Sequence, residues 1–592
     1  MDNLSHKCAQ SLEAYLGDPQ AKTAIFSYKN SLTFDIQEAF PDDICAELND
    51  WGLHRYYVPT EFGGDLDNYE QILMLIRLVA RRDLTVAIGH GKTYLGAVCV
   101  WVSGTQEQAT YLGQAICQGE IVSLALTERS HGSDILSNEL TAELSGDGFL
   151  LNGEKWLINN ANRSDNLTVF ARTDTKGGSR GYSVFLVEKK HLTQPAYTCL
   201  KKIKTHGIRG ADISGIQFNN AWISSKSLVG KLGYGLEIVL KSLQITRTLC
   251  ASLSLGAADN ALRLVYKFAD NRQLYGKKLL EIPHSRQILL NAFSDLLICE
   301  VLGITSVRAI HVLSEQMSLI SAFAKYFIPT RVEQMIEQLA ILLGARGFLL
   351  KEFEYGRFQK LERDHRLVGL FDGNTLVNLQ VIVNQLKSLA KLRQLSYIKQ
   401  DARVVDIFTL TTKLSSWNRE ALSLTTRGQD TILNSLAQVI DLIEAESNKQ
   451  GSHHLYAIQG YVNQIVTEIK KLDSEVLATD WVINAIPTRY FTLAQKYSLL
   501  YAAAACTQMW LYNHSSQQAR LFQSIWDEGI WLRVCLERLL SQLNIPVNSC
   551  VGANRVLFEQ LEQQYSNNLL FSLFPLKLSE NSAMLSERES IL

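Results

Sequence analysis

"LNGEKWLINNA", Leu151 to Ala161, is the stretch that decides the architecture. An Asn-Gly pair between apolar residues signals a tight hairpin, because the favoured two-residue turn needs positive φ at both central positions. The residues after it alternate, with Trp156, Ile158 and Asn160 on one face and Lys155, Leu157 and Asn159 on the other. The neighbouring runs "NLTVFART", "GYSVFLVEK" and "ISGIQFNNAWI" are short, rich in β-branched and aromatic residues, and separated by Gly, Asn and Asp. They define a middle β domain over residues 121–233. On spacing alone the hairpin is a structural unit with an apolar face, and nothing more is required of it.

On both sides of this domain the period changes to that of helices. Residues 1–120 read as an N-terminal helical domain, as in "YEQILMLIRLVARR", where Ile72, Leu73, Leu75, Ile76 and Val79 fall on one side. A loop, "VPTEFGGDLD", interrupts it. Residues 234–390 carry enough helical pattern for a four-helix bundle. Residues 391–592 form a C-terminal helical extension, with Ile432, Leu436, Val439 and Ile443 along one stripe. The final "ENSAMLSERESIL" reads as disordered. The fold class is therefore α+β, mainly α.

Composition narrows the function. The chain has 592 residues, 46% of them hydrophobic and 20% charged, with a net charge of −1. That balance carries no electrostatic footprint for nucleic acid. Its ten cysteines, from Cys8 to Cys550, form no CxxC pair, which fits free thiols better than a disulfide frame or a metal site. No secretory signal opens the sequence, and "YSLLYAAAACTQMWLY", Tyr497 to Tyr512, is too short and polar for a confident membrane span. A cytoplasmic protein is expected.

Four further stretches carry candidate chemistry. "LALTERSHGSD", Leu124 to Asp134, is a strand running into a turn whose small residues let backbone N–H groups and hydroxyls approach a phosphate or a planar ring; an ordinary strand-to-loop turn looks the same. "GIRGAD", Gly207 to Asp212, precedes a strand. "ADNRQLYGKKL", Ala269 to Leu279, ends a helix with Arg272 and Lys277, either a solvated end or a diphosphate holder. "LFDGNT", Leu370 to Thr375, puts Asp372 before a glycine.

In this order and spacing the stretches resemble the acyl-CoA dehydrogenase flavoprotein family. The resemblance runs from "YYVPTEFGG" near residue 57 to "FDGNT" at 375, through "GTQEQATYLGQAICQGE", "LALTE", "NGEKWLI", "HGIRGAD", "YGK", "GARGF" and "RDHR". The long C-terminal addition is similar to that of the very-long-chain branch, which is typically dimeric and membrane-associated. The resemblance implies an FAD-dependent dehydrogenase acting on an acyl thioester of CoA or acyl carrier protein. It implies Thr127, Ser133, Leu157, Asn159 and Asn374 at the FAD, Arg272 and Tyr275 reaching the FAD of a neighbouring subunit, and Arg247 at the substrate. A homodimer or homotetramer, an electron-accepting flavoprotein partner and peripheral membrane contact through the extension follow from the same likeness.

The family base is usually a glutamate directly before the glycine; here the position is Asp372. A second location used by some branches, beside the arginine that matches Arg247, is Thr246, so no rival glutamate stands there. Asp372 is one methylene shorter, and about 1 Å of displacement at a reacting centre costs roughly a hundredfold in rate. Asp before Gly and Asn is also a favourable turn or helix-cap residue. Other departures are Leu157 for an aromatic residue, Asn159 for the threonine or serine that commonly bonds flavin N5, and Ile341 for a glutamine before "GARGF". Two other readings remain open here: a flavin oxidase resembling the nitroalkane-oxidising branch, which uses aspartate, and a non-catalytic assembly or membrane-docking module.

Overall fold

The computed structural model of the chain describes residues 4–193, 195–395, 401–478, 485–516 and 523–579. The terminal stretch expected to be disordered lies outside the described residues. Six helices come first: α1 (Leu4–Leu16), α2 (Tyr28–Gln37), α3 (Asp42–Trp51), α4 (Tyr69–Arg82), α5 (Leu84–Ser103) and α6 (Gln106–Cys117). Their starts are written locally. Asp83 caps α5 by accepting from Thr85 N at 2.7 Å, and Thr105 and Gln108 form a capping box on α6.

The middle region is one sheet. Strands β1 (Val122–Ala125), β2 (Thr141–Ser145), β3 (Gly148–Asn159), β4 (Asn166–Arg172), β5 (Tyr182–Glu188), β6 (Tyr197–Leu200), β7 (Ile213–Ser224) and β8 (Leu228–Val229) run in the order β6-β7-β3-β2-β4-β5-β8, with β1 paired to β4. The tight hairpin read at Asn152 and Gly153 does not form there: both lie inside β3, where the β3–β7 register shifts between Leu151 and Gly153, and the β2–β3 turn falls earlier, between Ser145 and Gly148. The strict alternation read across residues 155–160 does not hold either. The β3–β7 register shifts between Trp156 and Ile158, and Leu157 sits at φ 56°. This is a bulge, which re-aims one side chain and resets the faces beyond it.

After the sheet come α7 (Gly235–Asn271), a small hairpin of β9 (Gln273–Leu274) and β10 (Lys277–Lys278), then α8 (Pro283–Val312), α9 (Met317–Leu343), α10 (Arg357–His365) and α11 (Thr375–Gln394). Helices α7, α8, α9 and α11 form the bundle. Helix α8 is apolar and long enough to cross a membrane by composition, yet 83% of its apolar window is buried inside the protein. The extension adds α12 (Arg403–Phe408), α13 (Thr431–Asn434), α14 (Leu436–Gln450), α15 (His453–Leu477), α16 (Arg489–Asn513), α17 (Gln523–Trp526), α18 (Ile530–Gln542) and α19 (Val551–Ser566). Ile432, Leu436, Val439 and Ile443 are all buried.

Helix α4 differs from its one-sided pattern in a way that explains the extension. Every residue of it is buried, including Glu70, Arg77, Arg81 and Arg82. Buried charges must be paired, and these are: Arg308 with Glu70 at 2.9 Å, Glu300 with Arg77 at 2.5 Å, and Glu13 with Arg81 at 3.1 Å and Arg82 at 3.2 Å. The last described segment returns to this place. Leu573 N and Ser572 Oγ donate to Glu300, Phe571 N to Asp259, and Ser579 N to Glu13. The extension thus closes the core of the first domain.

Two buried histidines make this packing sensitive to acid. His90 lies between Tyr57 OH at 2.7 Å and Asn49 Oδ1 at 2.9 Å, and burial pushes its pKa down to about 3. His311 lies between Ser415 O at 2.8 Å and Tyr69 N at 3.2 Å, and burial pushes it down to about 4. Both folded values lie below the unfolded 6.5, so the unfolded chain takes up protons first; their stability contribution is full above pH 6.5 and is lost as pH falls toward the folded values. Each histidine should cost about 2 kcal/mol of folding free energy at pH 5 relative to pH 7. Urea denaturation at the two pH values checks this, and His90→Gln should remove about half of the difference that the two histidines make.

Candidate active site

A cavity of about 680 Å³ opens where the three regions meet, within the roughly 300–1,000 Å³ range of small-molecule sites. The turn after β1 supplies Thr127, Gly132 and Ser133, the β3 bulge supplies Leu157 and Asn159, and the loop before α11 supplies Phe371 to Asn374. Arg247 comes from α7 and Lys92 from α5. Seven of the expected residues therefore face one space: Thr127, Ser133, Leu157, Asn159, Arg247, Asp372 and Asn374. Arg272 and Tyr275 lie outside it on the β9–β10 hairpin, where Tyr275 is 97% exposed.

The turn carrying Thr127 is held from beneath. Lys155 Nζ is fully buried, donating to Glu128 Oε1 at 2.8 Å and to Leu126 O at 3.0 Å. Burial pushes Lys155 down to about 8, with Glu128 working against it. Glu128 also accepts from Glu139 N and Leu140 N, and Trp156 N donates to Thr127 O at 2.8 Å. These bonds fix the loop without spending the Thr127 hydroxyl.

The loop carrying Asp372 is fixed through its backbone. Asp372 and Gly373 both take left-handed φ, 54° and 86°. The positive φ of Gly373 favours glycine, and a Cβ there would stand 2.7 Å from Arg247 Nη2, so the guanidinium would have to shift. Arg247 Nε donates to Asp372 O at 2.8 Å, Asn378 Nδ2 to Gly373 O at 2.9 Å, and Asn374 caps α11 by accepting from Val377 N at 2.9 Å. The helix-cap role open at Asp372 belongs to Asn374.

That leaves the Asp372 carboxylate to the cavity. It lies at the junction with a smaller, largely apolar pocket of about 60 Å³ lined by Ile72, Ile76, Ile88, Leu249 and Leu253 among others. Lys92, Leu95 and Asp372 border both spaces. Lys92 Nζ reaches Asp372 Oδ2 at 2.9 Å, and both side chains are 9% exposed. Cys250 Sγ is 3.9 Å from the same oxygen, its thiol pushed up to about 11 by burial. Burial lowers Arg247 and Lys325, while Asp372 works to keep both charged. Lys92, Cys250 and Phe371 were not singled out from the sequence; Lys92 sits in "GHGKTYLG", which has no motif.

Elsewhere among the described residues, His453, His454 and Cys550 bring metal-type donor atoms within 4.8 Å of one another. Arg533 Nη1 lies 3.0 Å from His454 Nδ1. A ligating imidazole donates outward from its second nitrogen, and a cation there reverses that arrangement.

The comparisons with known proteins agree with this fold. Family models for the acyl-CoA dehydrogenase N-terminal, middle and C-terminal domains match residues 29–120, 123–221 and 233–387. The probable acyl-CoA dehydrogenase FadE25 of Mycobacterium tuberculosis is 25% identical over 353 residues, covering 60% of this chain and 89% of the relative. The human mitochondrial short-chain specific acyl-CoA dehydrogenase is 27% identical over 358 residues, covering 60% and 84%. A solved acyl-CoA dehydrogenase from Bacillus anthracis, complexed with FAD, has the same fold over 96% of this chain and 95% of its own, with a TM-score of 0.68 at 18% identity. The chain belongs to the acyl-CoA dehydrogenase family. It is an FAD oxidoreductase acting on CH–CH bonds, and the family's cofactor is FAD.

The residues present suit that cofactor. The cavity offers the hydroxyls of Thr127 and Ser133 and the amides of Asn159 and Asn374. Asn159 keeps a buried side-chain oxygen that has no partner among the described residues. Gly207, on the cavity wall, packs against the Arg363 backbone, where a Cβ would meet Arg363 O at 2.2 Å.

Proposed function

We propose that the chain introduces an α,β double bond into an acyl thioester, with Asp372 as the base that takes the α-proton. Bound FAD supplies the acceptor, at N5, for the hydride that leaves the β-carbon. The observation that carries the reading is the position of Asp372, whose carboxylate borders both the large polar cavity and the small apolar pocket. An acyl chain reaching from one to the other passes that carboxylate with its first carbons. Asp372 gains the proton, the hydride departs from the adjacent carbon, and the electron pair of the broken Cα–H bond becomes the double bond. Arg247, buried on the same wall, adds positive charge where enolate-like charge develops. Thr127, Ser133, Leu157, Asn159 and Asn374 hold the cofactor.

The thioester carrier is CoA or an acyl carrier protein, and an electron-transferring flavoprotein is the natural acceptor. Arg272 and the exposed Tyr275 fit a contact with the cofactor of a second subunit in a homodimer or homotetramer. Aspartate in the base position also favours a second reading, an oxidase acting on nitroalkanes. Anaerobic titration of the FAD-loaded protein separates them. Bleaching of the flavin by CoA-linked or carrier-linked acyl thioesters is expected; no bleaching with any of them, together with peroxide release from nitroalkanes in air, overturns the dehydrogenase.

A further inference from the structure

We infer that Lys92 is the residue that positions the Asp372 carboxylate for proton abstraction, a role that rests on the reading of Asp372 as the base. The backbone of this loop is fixed by Arg247, Asn378 and the Asn374 cap, yet none of those bonds touches the carboxylate. Its direction is set by what faces it from each packed element. Helix α7 offers Arg247, whose Nε is committed to the Asp372 carbonyl, and Cys250, a weak thiol donor at 3.9 Å. Helix α9 offers Lys325, whose ammonium is bonded to Val368 O and lies 4.9 Å from the Phe371 ring centre. Helix α5 offers Lys92, the one described cation in ion-pair contact with the carboxylate, at 2.9 Å.

The ammonium is itself held. It sits 3.8 Å over the Phe371 ring, close enough for a cation–π contact, on a helix buried along most of its length. The ion pair therefore fixes a carboxylate of the bundle loop from a rigid helix of the first domain. An aspartate has less reach than a glutamate, so its tolerance for misdirection is small. Displacement by about 1 Å costs roughly a hundredfold in rate. Stability alone is a poor account of this pair, because a buried salt bridge is often matched or bettered by apolar residues of similar volume.

The test uses the full-length, FAD-loaded protein and the variants Lys92→Met, Lys92→Arg, Asp372→Asn and the Lys92→Met/Asp372→Asn double. Lys92→Met leaves the buried Asp372 carboxylate without its counter-charge and should lower the thermal melt, yet it should keep its FAD, hold KM within about threefold, and slow thioester-driven flavin reduction about a hundredfold. Lys92→Arg should recover most of that rate, and the double variant should be no slower than Asp372→Asn alone. Wild-type reduction by Lys92→Met with an inactive Asp372→Asn overturns the role of Lys92 and leaves the base in place. A raised KM at unchanged rate makes Lys92 a substrate contact, and failure of Lys92→Arg to exceed Lys92→Met reduces it to packing; either result overturns the inference. Retained turnover in Asp372→Asn removes the base itself.

Discussion

Asp372→Asn should bind FAD at the wild-type stoichiometry and lose thioester-driven flavin reduction by about 10²–10⁴-fold, the usual contribution of a positioned general base. The substitution is close to isosteric and leaves the backbone bonds untouched, since Arg247 holds the carbonyl of residue 372 and Asn374, not Asp372, caps α11. What disappears is the one carboxylate that borders both cavities. Stopped-flow absorbance after anaerobic mixing reads the effect, and the visible spectrum of the purified variant reports the cofactor. Reduction within tenfold of wild type would move the base elsewhere.

Glu300→Ala should cost about 3–5 kcal/mol of folding free energy, the range for breaking a buried pair by removing one partner. Glu300 is 1% exposed and gathers Arg77, the Ser572 hydroxyl and Leu573 N. Without it Arg77 keeps a backbone carbonyl, Phe571 O at 2.8 Å, but no counter-charge among the described residues. The loss should appear both in urea denaturation and as protease cleavage within residues 569–579, because the same carboxylate pins that segment to α8. A change under 1 kcal/mol would mean that the extension does not rest on this anchor. The extension thereby stabilises the helix whose Ile72 and Ile76 line the small apolar pocket beside Asp372.

Much of this was legible in the sequence, and the limits follow from physics. Local period separated the sheet from the helices, since side-chain direction repeats every two residues in one and every 3.6 in the other. Thr127, Asn159 and Asp372 were marked by the family resemblance of the motifs that carry them, since each stretch taken alone also reads as an ordinary turn or strand. Leu157 was placed correctly in the strand but not on its face, because a bulge depends on the partner strand β7. Helix α4 has a polar side that reads as solvent-facing; its charges are buried because Glu13, Glu300 and Arg308 arrive from distant parts of the chain. Lys92 lies 280 residues from Asp372 and carries no local signal at all. Residues whose role is set by long-range pairing were the ones missed.

In the proposed reaction the carboxylate before Gly373 stands across the substrate from the flavin. A crystal structure of the protein with FAD and a non-reacting acyl thioester analogue measures it directly. A carboxylate oxygen of Asp372 within about 3–3.5 Å of the analogue's α-carbon, on the face opposite the isoalloxazine ring, is the predicted result. An α-carbon in contact with some other base, with Asp372 turned away from the acyl chain, would contradict the account.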